Sequence, residues 1–389
     1  MVATADPRHG ARRRPSASQS GPGSKPGPGP KSGTGRPGAG YGETFAALDL
    51  GTNNCRLLVA RPTRDGFRVI DAFSRIVRLG EGLTSSGRLT EVAIARTLDA
   101  LQVCARKMER RGVTRARAVA TEACRRARNC AQFVARVRDE TGVELEIISN
   151  SEEASLGLYG CTPLLAAERP YAIIFDIGGG STEVSWLRIR RNGGNGNGHG
   201  NGHGWPHLEP EILEWCSLPV GVVTLAERYG GYDISEAAYE AMVEEVADAL
   251  APFEADHGLS ALVEQGAVQM LGTSGTVTTL SGIDKQLPRY DRSRVDGSYL
   301  AFETAGRLCR SIAAMSYQER REHPCIGAER ADLVVAGCAI LEAICRTWPV
   351  GRLRVADRGL REGILFGLIR ESRQSRRVGR RQRANGARA

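Results

Sequence analysis

The sequence predicts an α/β protein of two similar lobes, each running βββαβαβ and facing the other across a cleft. Three observations carry that expectation. An apolar strand ending in Asp-x-Gly and a small polar turn occurs twice, around Asp49 in ALDLGTNNCRLLVA and around Asp176 in FDIGGGSTEV, 127 residues apart. Each copy is followed by alternating helix and strand patterns in the same order. The chain of 389 residues, 41% hydrophobic and 25% charged, is globular in composition and too long for a single ordinary core.

The elements follow in order. Residues 1–42 hold ten Gly and seven of the 17 Pro without apolar periodicity. Too little apolar surface is present to offset the entropy of ordering, so a disordered basic tail is expected. The first domain, 43–168, opens with TFAALDLGTNNCRLLVA as strand, turn and strand, and FRVIDAFSRIVRLG continues the β pattern. Val92, Ala95, Leu98 and Leu101 set a helix over 90–111 that stops at Gly112. A strand at 116–120, a helix at 129–141 and a strand at 143–149 come next. Asn150 and Ser151 then offer N-caps to a helix beginning EEASLGLYG.

The second domain, 169–370, repeats the opening in YAIIFDIGGGSTEVSWLRI (171–189), followed by a strand in EILEWCSLPVG and a helix over 233–253. AVQMLGTSGTVTTLSGI (267–283) reads as strand, Gly/Thr turn and helix start. Helices at about 300–315 and 329–346, the strand RLRVAD and the helix RGLREGILFGLI complete it. Residues 192–207 form a Gly/Asn-rich insertion, which the fold tolerates because closure entropy grows slowly with loop length. Residues 371–389 are expected to be a second disordered, Arg-rich tail.

The charge balance is basic overall, 53 Lys+Arg against 44 Asp+Glu, or +9. Each tail carries +6, which leaves 43–370 at −3. A folded body of that sign argues against specific nucleic-acid binding, whereas flexible basic tails suit capture of polyanions. The ten cysteines include no Cys-x-x-Cys, which removes zinc-ribbon and thioredoxin readings. No signal peptide and no run near 20 apolar residues is visible, so a cytoplasmic protein that does not engage a membrane is expected.

Three Gly-containing turns place backbone N–H groups where an anion can sit: Gly51-Thr52-Asn53-Asn54, Gly178-Gly179-Gly180-Ser181-Thr182 and Gly272-Thr273-Ser274-Gly275-Thr276. The third opens a helix, whose N-terminal dipole favours negative charge. A single such turn is as well explained by chain reversal. Three, each after an apolar strand, favour phosphate binding, and no P-loop motif is present. Asp176 and Glu183 share one hairpin and suit Mg²⁺, which binds one or two carboxylates together with substrate phosphates. Glu152 and Glu153 open a helix, where the simpler reading is that they complement its dipole. His199, His203 and His207 lie in or beside the low-complexity insertion and make a poor metal set.

These residues resemble the exopolyphosphatase/guanosine pentaphosphatase (Ppx/GppA) phosphatase family of the actin–Hsp70–sugar kinase superfamily. The matching segments are ALDLGTNNCRLLVA, VATEACRRARN, IISNSEEASLGLYG, FDIGGGSTEV, SLPVGVVTLAERY, LGTSGTVTTLSG, ERADLVVAGCAILEAI and VADRGLREGIL, in family order across residues 44–370. The resemblance implies two actin-like (ribonuclease H-like) βββαβαβα domains and Mg²⁺-dependent hydrolysis of a terminal phosphoanhydride. The substrate it implies is inorganic polyphosphate or guanosine pentaphosphate. By position, Glu153 matches the family's general base, and Asp176 and Glu183 match acids of its metal and phosphate site. Arg125 matches a phosphate-contacting arginine. Asp49 with Gly51 to Asn54, Gly178 to Thr182, and Gly272 to Thr276 match the three phosphate loops.

The chain departs from the family pattern at three points. Asn54 stands where the first loop often has Ser, and Ser274 where the third often has Gly. The HD-type helical domain that long members carry after the second domain is not expected in this chain. The leading expectation is an exopolyphosphatase, and the alternative is a guanosine pentaphosphate phosphohydrolase of alarmone turnover. A sugar- or acetate-type kinase is disfavoured because SEEA suits a water-activating acid, and a non-catalytic sensor because acids are present at 153, 176 and 183. A homodimer is compatible with the sequence.

Overall fold

The apolar runs around the two Asp-x-Gly motifs form the central strands of two separate sheets. The structure is a computed structural model that describes residues 42–64, 66–191 and 208–386. The expected N-terminal tail up to 41 and the 192–207 insertion, with its three histidines, lie outside the described residues. Strands β1 (Phe45–Leu50), β2 (Asn54–Thr63), β3 (Gly66–Ile76), β4 (Arg115–Ala120) and β5 (Leu145–Ile147) make a five-stranded sheet of order β3-β2-β1-β4-β5. Strands β6 (Tyr171–Ile177), β7 (Thr182–Arg191), β8 (Leu208–Leu218), β9 (Val268–Thr273), β10 (Tyr299–Ala301) and β11 (Arg352–Ala356) make a six-stranded sheet of order β10-β11-β9-β6-β7-β8.

The duplication is structural. β6, β7, β8, β9 and β11 occupy the places of β1 to β5, and the short β10 is added at one edge. In each sheet the first two strands form an antiparallel hairpin, and the first strand runs parallel to the fourth. β1 and β6 are buried along nearly their whole length because helices cover both faces, which is why they read as continuous apolar runs rather than as alternation.

The outer face of the first sheet packs Ala46, Leu48 and Leu50 against Ile94, Leu98 and Leu101 of the helix Glu91–Arg110 and Phe133 of the helix Cys130–Thr141. The corresponding face of the second packs Ile173, Phe175 and Ile177 with the helices Glu236–His257 and Val334–Thr347. The inner faces are covered crosswise. Leu158 and Cys161 of the helix Asn150–Cys161 join Ala172, Ile174 and Leu187 of the second sheet. Ile364, Leu365 and Ile369 of the final helix, Leu360–Gly386, join Phe45, Ala47, Leu58 and Val119 of the first sheet.

Three expectations are corrected here. The division at 168/169 does not separate the cores, because each half sends one helix to the other's sheet. The final helix also runs through 371, where a disordered tail was expected. RESRQSRR contains no Gly or Pro and is rich in helix formers, and its first turns are anchored to the first sheet. Ser372 Oγ donates to Glu43 Oε2 at 2.5 Å, and Arg373 Nη2 donates to the Thr63 carbonyl at 2.7 Å. The Asn150–Cys161 helix is capped by Ser149, whose side chain accepts from Glu152 N, so Asn150 and Ser151 lie in its first turn rather than at its cap.

The two inner helices cross at glycines. A Cβ on Gly160 would lie 1.9 Å from the Gly359 carbonyl oxygen, and one on Gly363 1.9 Å from that of Leu156. No side chain fits at either place. Among the described residues, no helix is long and apolar enough to cross a membrane.

Candidate active site

The ends of β1, β6 and β9 deliver their turns to one cleft. Its lining includes Asp49, Gly51 to Asn54, Glu153, Asp176, Gly178 to Ser181, Glu183 and Ser274 to Thr276. The two hairpin turns close identically, Gly51 N donating to the Asn54 carbonyl at 2.9 Å and Gly178 N to that of Ser181 at 2.9 Å. The third turn opens the helix Gly275–Asp284, where the Ser274 hydroxyl caps by accepting from Val277 N at 3.0 Å. The triple glycine is required by close approach rather than by a left-handed backbone. A Cβ on Gly179 would meet Asn53 and Thr52 at 3.1 Å, and one on Gly180 would meet Thr52 Oγ1 at 2.8 Å. Gly in both positions lets the turns of the two lobes touch. In the first turn, the buried Asn53 Oδ1 has no hydrogen-bond partner. Such an atom calls for a donor or a cation in the cleft.

Glu153 enters from the first turn of the Asn150–Cys161 helix. Its Oε2 accepts from Arg125 Nη1 at 2.8 Å, and Arg125 is also held by Glu122 Oε2 through Nε at 3.2 Å and Nη2 at 3.0 Å. The short helix Glu122–Arg126 places that guanidinium, whose Nη1 also donates to the Ile148 carbonyl. Glu152 points elsewhere, accepting from Arg117 Nη2 at 2.5 Å. Adjacent glutamates thus take different tasks, one in the cleft and one on the surface.

Besides Glu122, which holds Arg125, four carboxylates share this space, and burial raises these four. Desolvation pushes Asp176 up to about 6, against the pull of Thr273 and Arg56. Desolvation and nearby Asp176 push Glu183 up to about 7, although Ser181 and Ser217 donate to it at 2.5 and 3.2 Å. Desolvation, then Glu183, drive Glu153 well above the ordinary carboxylate range despite Arg125. Asp49 is raised by burial as well.

The hairpins differ in one respect that matters. Across β1–β2, Asp49 faces Arg56; at the equivalent place across β6–β7, Asp176 faces Glu183. One lobe therefore sets a cation across from its aspartate, and the other sets two acids side by side. Two facing carboxylates have the chemistry to hold a hard cation that takes its remaining oxygens from substrate and water. Among the described residues, no group of three or more His, Cys, Asp or Glu is arranged to hold a metal by itself.

The model of the Ppx/GppA phosphatase family matches residues 58–372. The chain belongs to the Ppx/GppA phosphatase family. It is 28% identical over 338 residues to "Exopolyphosphatase 2" of Mycobacterium tuberculosis, covering 83% of this chain and 98% of the relative. It is 27% identical over 326 residues to the "Guanosine-5'-triphosphate,3'-diphosphate pyrophosphatase" of Aeromonas salmonicida, covering 84% of this chain but 59% of that relative. The crystal structure of the Aquifex aeolicus Ppx/GppA family member aligns over 85% of this chain and 98% of its own with a TM-score of 0.65 and 26% identity. The fold is thus the two-domain, actin-like fold of this family, and the chain is an enzyme of its phosphoanhydride-hydrolase type.

In this Ppx/GppA protein most of the residues singled out in the sequence line the cleft. Three do not. Thr182 is fully buried and donates to the Val220 carbonyl at 2.7 Å. Gly272 makes room for Phe175, whose ring would lie 2.5 Å from an added Cβ. Thr273 hydrogen-bonds Asp176 from an adjoining chamber. Arg125 reaches the site through its contact with Glu153. Sequence reasoning missed Arg56, Glu122, Thr279 and Arg330, which also line the cleft. Arg56 is signalled by its register opposite Asp49, on the strand leaving the first turn, and Arg330 by the ERAD segment, which follows no glycine turn.

Proposed function

We propose that this protein is an exopolyphosphatase that removes the terminal phosphate of inorganic polyphosphate by direct attack of water. What carries the reading is Glu153: a desolvated carboxylate in the cleft, beside two facing glycine-rich turns and opposite Asp176 and Glu183. In the first step Glu153 accepts a proton from the attacking water as its oxygen bonds to the terminal phosphorus. The bridging P–O bond breaks, its electron pair stays on the bridging oxygen of the shortened chain, and orthophosphate is released. The raised affinity of Glu153 for a proton suits it to this transfer at neutral pH.

The backbone N–H groups of the two hairpin turns, other than those of Gly51 and Gly178 that close them, and the helix starting at Gly275 bind and orient the phosphate oxygens. Arg125 shifts part of its charge to the reacting phosphate while Glu122 keeps its position. Phosphoryl transfer leaves little covalent work for the protein, so positioning and charge neutralisation supply most of the acceleration. Asp176 and Glu183 are the residues that would hold Mg²⁺. When bound, that ion neutralises charge on the transferring phosphoryl group.

The first reading is preferred because the chain spans 98% of the exopolyphosphatase relative and 59% of the guanosine pentaphosphate-type one. Hydrolysis of guanosine pentaphosphate at its 5′ end is the second reading, and the Aeromonas relative supports it. Comparing kcat/KM of the full chain on long polyphosphate, tripolyphosphate and guanosine pentaphosphate with Mg²⁺ tests both. The expected order places polyphosphate first. Preference for guanosine pentaphosphate by tenfold or more replaces the first reading with the second, and hydrolysis of none overturns both.

A further inference from the structure

We propose that Arg78 is a positioning residue that ties the first glycine-rich turn to Arg330 on the opposite lobe. Its backbone has φ of 48°, in the left-handed region that a non-glycine residue occupies at a cost. Two sets of contacts hold it there. On the first lobe, the N–H groups of Val77 and Arg78 both donate to the Asn53 carbonyl, at 2.9 and 3.0 Å, and Gly80 N donates to that of Thr52 at 2.9 Å. Arg96 braces the same segment from below, its Nε donating to the Val77 carbonyl at 3.0 Å and its Nη2 to that of Arg78 at 3.3 Å.

On the second lobe, the Arg78 guanidinium grips Asp332 in a fork, Nη1 to Oδ2 at 2.6 Å and Nη2 to Oδ1 at 2.9 Å. Nη2 also donates to the Glu329 carbonyl at 3.2 Å. Arg330 sits between those two residues and lines the cleft, with Nη1 against Thr279 Oγ1 at 3.3 Å. The buried Arg320 fixes the next residue by donating to the Ala331 carbonyl at 3.0 Å. A continuous chain of contacts therefore runs from Asn53, through the strained Arg78, to the loop that presents Arg330. Bidentate Arg–carboxylate geometry gives such a link direction as well as strength. The strain is maintained because both ends over-determine it.

The activity readout rests on the hydrolase reading; a structural readout does not. Arg78→Asn removes the fork while keeping a residue type that tolerates the left-handed region, and Asp332→Asn removes the partner charge from the other side. In the full-length protein each should lower kcat/KM by roughly tenfold or more through misplacement of Arg330, with Tm little changed. In an Arg330→Gln background neither should add a further loss. Independently of turnover, amide hydrogen exchange at 76–80 and 329–333 should quicken together in Asp332→Asn. Losses that multiply with Arg330→Gln, or a kcat/KM within twofold of wild type, overturn the positioning role. Unchanged exchange at both segments overturns the link itself. If Arg78→Asn does not fold, Asp332→Asn decides. Inactivity of the wild type on every phosphoanhydride, with coupled exchange intact, removes the hydrolase reading and leaves the link standing.

Discussion

Replacing Gly363 by Ala tests how the crossing of the inner helices positions the base. The new Cβ would stand 1.9 Å from the Leu156 carbonyl oxygen, a rigid backbone atom. Restoring even a tight 3.0 Å contact moves the helices apart by about 1 Å. Forcing an extra carbon into a packed contact costs about 1–3 kcal/mol. With an unfolding entropy near 2.1 cal/mol/K per residue over the folded body, that lowers Tm by roughly 1.5–4.5 °C. Leu156 is one turn beyond Glu153, so the displacement passes directly to the carboxylate. A misplacement of about 1 Å is worth roughly 10²-fold in rate. Calorimetry and kcat on polyphosphate should show both effects. Gly157→Ala is the control, because its Cβ meets nothing within 4 Å, and helical Gly→Ala stabilises by about 0.5–1 kcal/mol. A Gly363→Ala protein with Tm within about 1 °C and more than half of wild-type turnover would refute the requirement for close approach.

Three further outcomes are expected. Glu153 works as a base only when unprotonated, and its proton affinity is raised, so kcat/KM should rise with pH through a value well above the ordinary 4.5. An acid limb at about 4.5 would contradict the desolvated setting. Glu183→Gln, or Asp176→Asn, should raise the Mg²⁺ needed for half-maximal activity by roughly tenfold and lower kcat; identical metal titrations for both variants and wild type would remove these residues from that role. Asp71 on β3 accepts from Lys107 Nζ at 2.7 Å and Arg111 Nε at 2.8 Å, which hold its pKa at about 2 against a usual 3.8. A depressed carboxylate stabilises the fold above its unfolded pKa and loses that contribution as pH falls through the folded one. Asp71→Asn should therefore cost about 1 kcal/mol at pH 7, discounted for exposed partners, and the gap from wild type should shrink between pH 4 and 2; a gap constant with pH would assign it to packing.

The repeated succession of elements along the two lobes was legible because each opening strand is apolar throughout and ends in the same Asp-x-Gly turn; the order of strands within each sheet was not read. Glu153 was legible from helix pattern only as a first-turn acid like Glu152; the family resemblance singled it out, and the Arg117 contact shows that Glu152 is the one facing outward. The crosswise covering of the inner faces left no sequence signal: the apolar stripe of Ile364, Leu365 and Ile369 says that the final helix is buried, not which sheet receives it. The polar run from 371 reads as a tail by composition, whereas its order comes from Glu43 and Thr63, more than 300 residues away. Three-residue β10 is too short for any period to register. Arg78 looked unremarkable in VRLGEG because left-handed backbone at a non-glycine residue is imposed by tertiary contacts.

Glu153→Gln, assayed for turnover and for binding of polyphosphate in the same full-length protein, addresses the central claim most directly. Loss of the base should lower kcat by roughly 10²–10⁴-fold, with polyphosphate affinity by calorimetry nearly intact. Glu152→Gln, which loses only a surface partner of Arg117, should stay near wild type. Retention of more than a third of wild-type turnover by Glu153→Gln would contradict direct water activation by this carboxylate.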